Sequence, residues 1–547
     1  MALSVKVGYV DLSAATGSQA FTGVGFLPKC LLLFNSALST ASAFATEAAN
    51  MYTMVGLGVS STERAVAGGS AENGVGAANA DSYRWLFTDR VLHQTQPNAT
   101  GTVLWNVGMV SLDADGFTLT KTTAVANRTL YMAFGGTSLT NVKVGGGTVT
   151  SGTGAISFTG VGFRPDLLIF LVKPTSGNGD HENAQMAMGW ANGLTQAGWS
   201  CFYDDESSPT NSVGVLLPDT AVITTSAAGI SNSAQLSTMD SDGFTLNRLV
   251  SSGVNYAMAY MAFKFSDIVT KIGVETQGTS TGTKATTGLS QTPQAMLLGG
   301  ASRVAGTSTT DHFRGFLGAT DGTTFLCNAY SAEDAETTSR TIRSHKEKIA
   351  AAVRNAAGTP TTDAEADFTS FAADTFTIDW TTADATAREF SYLAFGTDSS
   401  YHIQPNRRAG LPEWPEPSQL DGRATRWGYQ CTGETAPELQ RGIRVSNLTA
   451  VNLPVQLLDG SVRRWGWTNS GATINPTIKQ RRMLNAVKYT LPTPMLPGQQ
   501  GQSVRRLTYR TGESAPLYLV YGQGRIRDRL RTPSPSGVAI GAIYTPS

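Results

Sequence analysis

The chain has 547 residues, 41 Lys+Arg against 41 Asp+Glu, 41% hydrophobic and only 15% charged residues, so it is too apolar and too weakly charged to be disordered as a whole. This length predicts three to five domains around separate cores, and the 58 glycines, set among Ala, Ser and Thr, favour sheets and turns over long helices. No apolar run approaches the roughly 20 residues of a membrane span, residues 1–10 carry no apolar signal region, and four scattered cysteines without paired spacing argue against a zinc site or a disulfide framework.

In chain order, the dominant signal is self-similarity at an offset near 130 residues. One copy opens with Phe21-Thr22-Gly23-Val24-Gly25-Phe26-Leu27-Pro28, the next with Phe158-Thr159-Gly160-Val161-Gly162-Phe163-Arg164-Pro165, and a degenerate third with Gly288-Leu289-Ser290-Gln291-Thr292-Pro293. Middle strands are expected at Met54–Gly58, Met186–Trp190 and Phe313–Gly318. Each copy closes alike: Asp115-Gly116-Phe117, Asp242-Gly243-Phe244 and Asp374-Thr375-Phe376, then Tyr131 to Phe134, Tyr260 to Phe263 and Tyr392 to Phe395. Phe117 and Leu119 alternate with threonines, the period of a strand with one face in a core, and Asp-Gly is turn chemistry. In Tyr131-Met132-Ala133-Phe134 both faces are apolar, which predicts a central strand covered on both sides. Seven or eight strands per copy are expected. One segment, residues 344–357, has helix formers and i,i+4 charge pairs and reads equally well as a short helix.

The reading is therefore an all-β chain with three tandem β-sandwich or jelly-roll-like repeats over residues 1–137, 138–267 and 268–396. Residues 397–420, with four prolines at 405–417, read as a Pro-rich linker, and residues 421–547 as a smaller basic β domain ending in an extended tail. After Gly396 fall 19 of the basic and 9 of the acidic residues, leaving 22 and 32 before it, so the two parts carry about +10 and −10. Arg426, Arg464 and Arg506 recur in strand-like repeats of the basic part and are assigned to a protein interface rather than to nucleic acid.

Candidate chemistry is sparse. Gly278-Thr279-Ser280-Thr281-Gly282 matches a nucleophile elbow but sits in a Thr/Gly turn. Asp113, Asp115, Asp240 and Asp242 read as turn formers and not as a calcium loop. The run Asp204-Asp205-Glu206 could serve a glycosidase but reads as a solvated loop. Asp180-His181 and Asp311-His312 fall at similar places, suggesting a shared loop hydrogen bond. The five histidines lack metal-binding spacing, no phosphate or dinucleotide loop is present, and no catalytic, metal or cofactor site is assigned.

The opening Phe-Thr-Gly-Val-Gly-Phe-x-Pro, the late Asp-Gly-Phe-Thr and the closing Tyr-x-Ala-Phe resemble modules of tailed-bacteriophage structural proteins, especially tail-fibre and appendage proteins. The resemblance covers residues 1–396, and its third copy departs where Ser290 and Gln291 replace the second glycine and the phenylalanine. It implies a non-enzymatic virion component made in a host cytoplasm, a homotrimer with other virion proteins as partners and a role in host attachment. The alternative is a carbohydrate-binding adhesin or polysaccharide depolymerase at a host surface, with Trp190, Trp199 and Tyr203 as the glycan contacts and Asp204 or Asp205 as the acid.

Overall fold

The computed structural model describes residues 3–398 apart from Ala45, Ala124 and Leu194, and four short strands beyond them. The chain divides into compact units at Ser399/Ser400. In the second unit the described strands form two antiparallel pairs, Ile403–Pro405 with Tyr429–Cys431 and Gln456–Leu457 with Arg463–Arg464. The expected linker, the rest of the basic domain, Arg426 and Arg506 lie outside the described residues; Arg464 is described only as strand backbone.

The first unit is all antiparallel β. Its strands form three seven-stranded and three four-stranded sheets, one of each per sequence repeat. The first wide sheet runs Leu3–Leu12, Asn127–Gly136, Pro28–Asn35, Met51–Gly58, Arg64–Ala71, Ser82–Phe87. The second runs Leu139–Val149, Tyr256–Phe265, Leu167–Lys173, Ala184–Ala191, Gln196–Tyr203, Ser212–Leu217, and the third Ile268–Gln277, Arg388–Asp398, Gln291–Val304, Arg314–Thr320, Phe325–Ala332, Thr341–Lys346. In every case the seventh strand comes from another repeat. Gly179–Glu182 of the second repeat pairs with Ser82–Phe87 of the first, Thr309–Asp311 of the third with Ser212–Leu217 of the second, and Glu47–Ala49 of the first with Thr341–Lys346 of the third. The exchange closes a ring of three.

The alternation of the closing strands explains how the ring is filled. Tyr131 and Ala133 face a core shared with the first narrow sheet, while Met132 and Phe134 face a second core common to all three repeats. Tyr260 and Ala262 against Met261 and Phe263, and Tyr392 and Ala394 against Leu393 and Phe395, divide the same way. Phe134 meets Phe263 at 5.6 Å and Phe395 at 5.2 Å between ring centroids, so the three equivalent phenylalanines mark a pseudo-threefold axis. On the other side of each wide sheet, fully buried Phe117, Phe244 and Phe376 meet Tyr131, Tyr260 and Tyr392 edge-on at 5.3, 5.1 and 5.2 Å. Such edge-to-face pairs add roughly 0.5–1.5 kcal/mol beyond the area they bury.

The middle strands are found where the sequence places them, and a repeated glycine in each has a steric reason. A Cβ at Gly56, Gly189 or Gly318 would stand 1.8, 1.9 or 1.8 Å from the carbonyl oxygen of Val91, Ala221 or Ile349. The chain crosses there towards its narrow sheet, so only glycine fits. Two expectations are corrected. Among the described residues each repeat has eleven strands, not seven or eight, because short strands such as Glu47–Ala49 carry too few residues to show a period. Residues 344–357 are not helical: Thr341–Lys346 and Ala350–Ala356 are strands. The charges that suggested helix pairs reach across strands instead, Lys346 to Glu47 and Glu365 and Lys348 to Asp367, while Ile349 to Val353 enter the third repeat's core.

Candidate functional site

One polar arrangement recurs among the described residues at the three seams where one repeat lends a strand to the next. Each lent strand runs into a middle strand of its own repeat through one residue with left-handed backbone: Asn50 (φ 64°), Asn183 (φ 69°) and His312 (φ 56°). Asn and His are among the side chains that tolerate this region best, which suits them to the pivot.

Beyond the pivot, one hydrogen-bonded clasp is built three times. The hydroxyl of Ser82 accepts from the Ala184 N–H (3.2 Å) and that of Ser212 from the Phe313 N–H (3.3 Å). The Thr341 hydroxyl accepts in turn from the Met51 N–H (3.1 Å). The N–H groups of the same three residues donate to side-chain oxygens of the neighbouring repeat: Ser82 to Asp205 (2.5 Å), Ser212 to Asp334 (2.7 Å) and Thr341 to Asn73 (2.9 Å). Each clasp thus satisfies two buried backbone donors where sheets from different repeats meet, which otherwise cost about 1–3 kcal/mol apiece.

Three equivalent loops continue from the clasps and meet around one end of the ring. Gly74 and Ala77 donate to the carbonyls of Ser339 and Thr337, Glu206 donates to that of Ala80, and Thr210 to that of Glu336. Every loop therefore bonds to both others. They carry Glu72 and Asp81; Asp204, Asp205 and Glu206; and Glu333, Asp334 and Glu336. Arg340 pairs with Glu336, and His312 with Glu333, which raises the imidazole pKa. Burial pushes Asp205 up to about 6 and raises Glu72, Asp81 and Asp204, with the neighbouring Glu206 adding to the rise at Asp81.

The sequence candidates fall as follows. Trp190, Trp199 and Tyr203, expected in loops as glycan contacts, are buried at 0, 0 and 1% exposure in the central core and offer no face to a sugar. Their aromatic size, which suggested a binding surface, fills the common core instead. Of the two depolymerase candidates, Asp204 and Asp205, the second is spent on Ser82, from whose N–H and hydroxyl it accepts. Asp204-Asp205-Glu206 is thus not simply a solvated loop. Ser280 lies in a bend between strands with no helix after it, so no nucleophile elbow forms. Asp113 and Asp240 accept from Ser111 and Thr118 and from Thr238 and Thr245.

The repeated aspartates also hold the opening motif. The Asp115 carboxylate accepts from the N–H groups of Gly23 and Gly25 at 3.1 and 2.5 Å, Asp242 from Gly160 and Gly162 at 3.0 and 2.6 Å, and Asp374 from Gly288 and Ser290 at 3.2 and 2.5 Å. Gly23 and Gly25 have φ near +90°, and Ser290 bears the same left-handed strain at φ 57°. Sequence reading found both motifs but not that they are one device.

Asp180-His181 and Asp311-His312 are not equivalent. Asp180 and His181 lie in a lent strand, where Asp180 is 2.9 Å from His93 of the first repeat, whereas His312 is a pivot. Burial opposes the ionised Asp180, yet the bonds from His93 and Thr95 hold its carboxyl below the usual range. Cys30, Cys201 and Cys327 are buried free thiols. Among the described residues no group of three His, Cys, Asp or Glu side chains could hold a metal ion, and no helix is long and apolar enough to cross a membrane.

The fold defines a class by geometry: a single chain whose three repeats close an all-β ring by cyclic strand exchange. A scan against protein-family models finds no match, and no curated protein matches the sequence.

Proposed function

We propose that the chain is a non-enzymatic structural component of a tailed-bacteriophage particle, of the tail-fibre, appendage or baseplate kind, acting in assembly and in host attachment. The observation that carries this reading is the ring itself, whose repeated polar groups bind the repeats to one another through clasps, pivots and loop clamps. Rigid β modules that interlock in this way suit a part whose work is to hold a position under load.

The proposal includes a homotrimer and contacts with other virion proteins. Because Ser82–Phe87, Ser212–Leu217 and Thr341–Lys346 already receive a strand within the chain, three chains would associate through surfaces other than these edges. Locating the protein in a particle by electron microscopy tests the first part; absence from the virion would sink it. Light scattering tests the second, with three times 57.7 kDa expected for the trimer.

A further inference from the structure

We propose that the acidic loops at the seam between the first and second repeats form a docking surface for the arginine or lysine side chains of a partner protein. The inference does not depend on the virion reading. Glu72, Asp81, Asp204, Asp205 and Glu206 come together on two loops, and among the described residues none of them is in an ion pair, whereas Glu333 and Glu336 of the third loop are paired. Asp81 feels Glu206, and Asp205 feels Asp81 and Glu182, each neighbour raising the carboxyl further. Arg84 is close enough to favour ionised Asp204, while burial lowers its own pKa to about 10.

The ring supplies its own control for whether this charge is structural. At the third seam Asn73 accepts the N–H of Thr341 in the place where Asp205 accepts that of Ser82. A neutral amide therefore makes the clasp, and the charge at Asp205 is surplus to the fold. It is also costly, since burial and like charges disfavour the ionised form. A second observation points into the same place. Tyr203 is 1% exposed, its hydroxyl has no hydrogen-bond partner among the described residues, and the charges that act on it are those of Asp205, Asp204 and Glu72. A guanidinium or ammonium group seated among these carboxylates would offset their repulsion and give the hydroxyl a donor to accept from.

The experiment uses the full chain and an acetylated, amidated hexa-arginine peptide, titrated by calorimetry. One saturable site is expected at pH 7.5, weakening on descent to pH 5 as Asp205 protonates and weakening with added salt. The variant Asp81→Asn/Asp205→Asn/Glu206→Gln should bind about tenfold or more weakly, at the usual worth of three partly screened charges. A control neutralising Asp267, Glu347 and Asp379 should bind as the parent does. The triple variant should also melt no lower than the parent, and a lower melting temperature would mark the charges as structural. Equal affinity of the variant and the parent would overturn the proposal, as would non-saturating binding, or calcium binding at this site without peptide binding.

Discussion

The three seams of the ring are built on one plan but secured differently. The first and second repeats are joined by two residues between Gly136 and Leu139, and the second and third by two between Phe265 and Ile268, whereas the third meets the first with no chain between them. The closing seam is the most densely bonded. Lys346 is held by Glu47 and Glu365, the Glu47 carboxylate also accepts from Thr362, Arg343 donates to the carbonyls of Ala49 and Asn50, Ser36 N–H donates to His345, and Asp321 accepts from Val7. At the first seam Asp180 lies 2.9 Å from His93 and accepts from Thr95, and the Lys143–Glu63 pair is 3.4 Å long with both side chains one-third exposed. A covalent link keeps neighbouring repeats at high effective concentration, so its seam needs little further attraction; the seam without one must supply its own.

The largest effect should come where the seams share a core. Phe134→Ala opens a cavity on the pseudo-threefold axis and should cost about 3–5 kcal/mol. Denaturant unfolding that shows a loss under 1 kcal/mol would mean the common core is not what joins the repeats.

The seams should then separate under charge removal. Lys346→Met leaves Glu47 and Glu365 without their cation and should cost about 3 kcal/mol, whereas Lys143→Met at the first seam should cost less than about 0.5 kcal/mol. Equal losses would contradict the difference between closing and linked seams. Proteolysis sharpens the point, because the lysine variant should expose the strand Glu47–Ala49 before any other lent strand.

Acid should move two seams in opposite directions. Burial, with Arg128 and Arg343 nearby, lowers His345 to about 3 from an ordinary value near 6.5, and its Nε2 must stay unprotonated to accept from Ser36. The neutral ring's contribution is full above pH 6.5 and is lost as pH falls towards 3, because only the unfolded chain takes up the proton. Asp205 has a folded pKa of about 6 against an ordinary 3.8, so its contribution grows as pH falls through 6. Melting curves from pH 7 to 4 should show the acid loss reduced in His345→Gln and steepened in Asp205→Asn.

A change away from the seams should stay local. Asp115→Ala frees two solvent-exposed backbone donors of the opening loop and should cost about 1 kcal/mol, confined to the first repeat. Hydrogen exchange that spreads beyond residues 20–30 and their neighbours would show the clamp to be part of the ring after all.

Much of the strand inventory was legible. Tyr131-Met132-Ala133-Phe134 showed two apolar faces, and the recurrence of Phe117, Phe244 and Phe376 marked buried equivalents, because a strand's period of two survives in a single sequence. The lent strands were not legible: Glu47–Ala49 and Thr309–Asp311 have three residues each, too few for a period, and nothing local says which sheet they join. The helical reading of residues 344–357 failed for the related reason that propensity is a weak prior, overridden when Ile349 to Val353 find a core. Trp190, Trp199 and Tyr203 were misplaced because the core they fill exists only once three repeats have closed.

By itself, then, the sequence determined that the chain is all-β and repeats itself, and where its turns require glycine and aspartate, since sterics and alternation act within a few residues. Only the tertiary structure decided that the repeats close into a ring, which residue pivots each exchanged strand, and that Asp205 and Asn73 serve one role. Those outcomes depend on groups more than a hundred residues apart, such as Ser82 and Asp205 or Thr341 and Asn73, and such pairings become selective only when buried backbone donors must be satisfied across a seam.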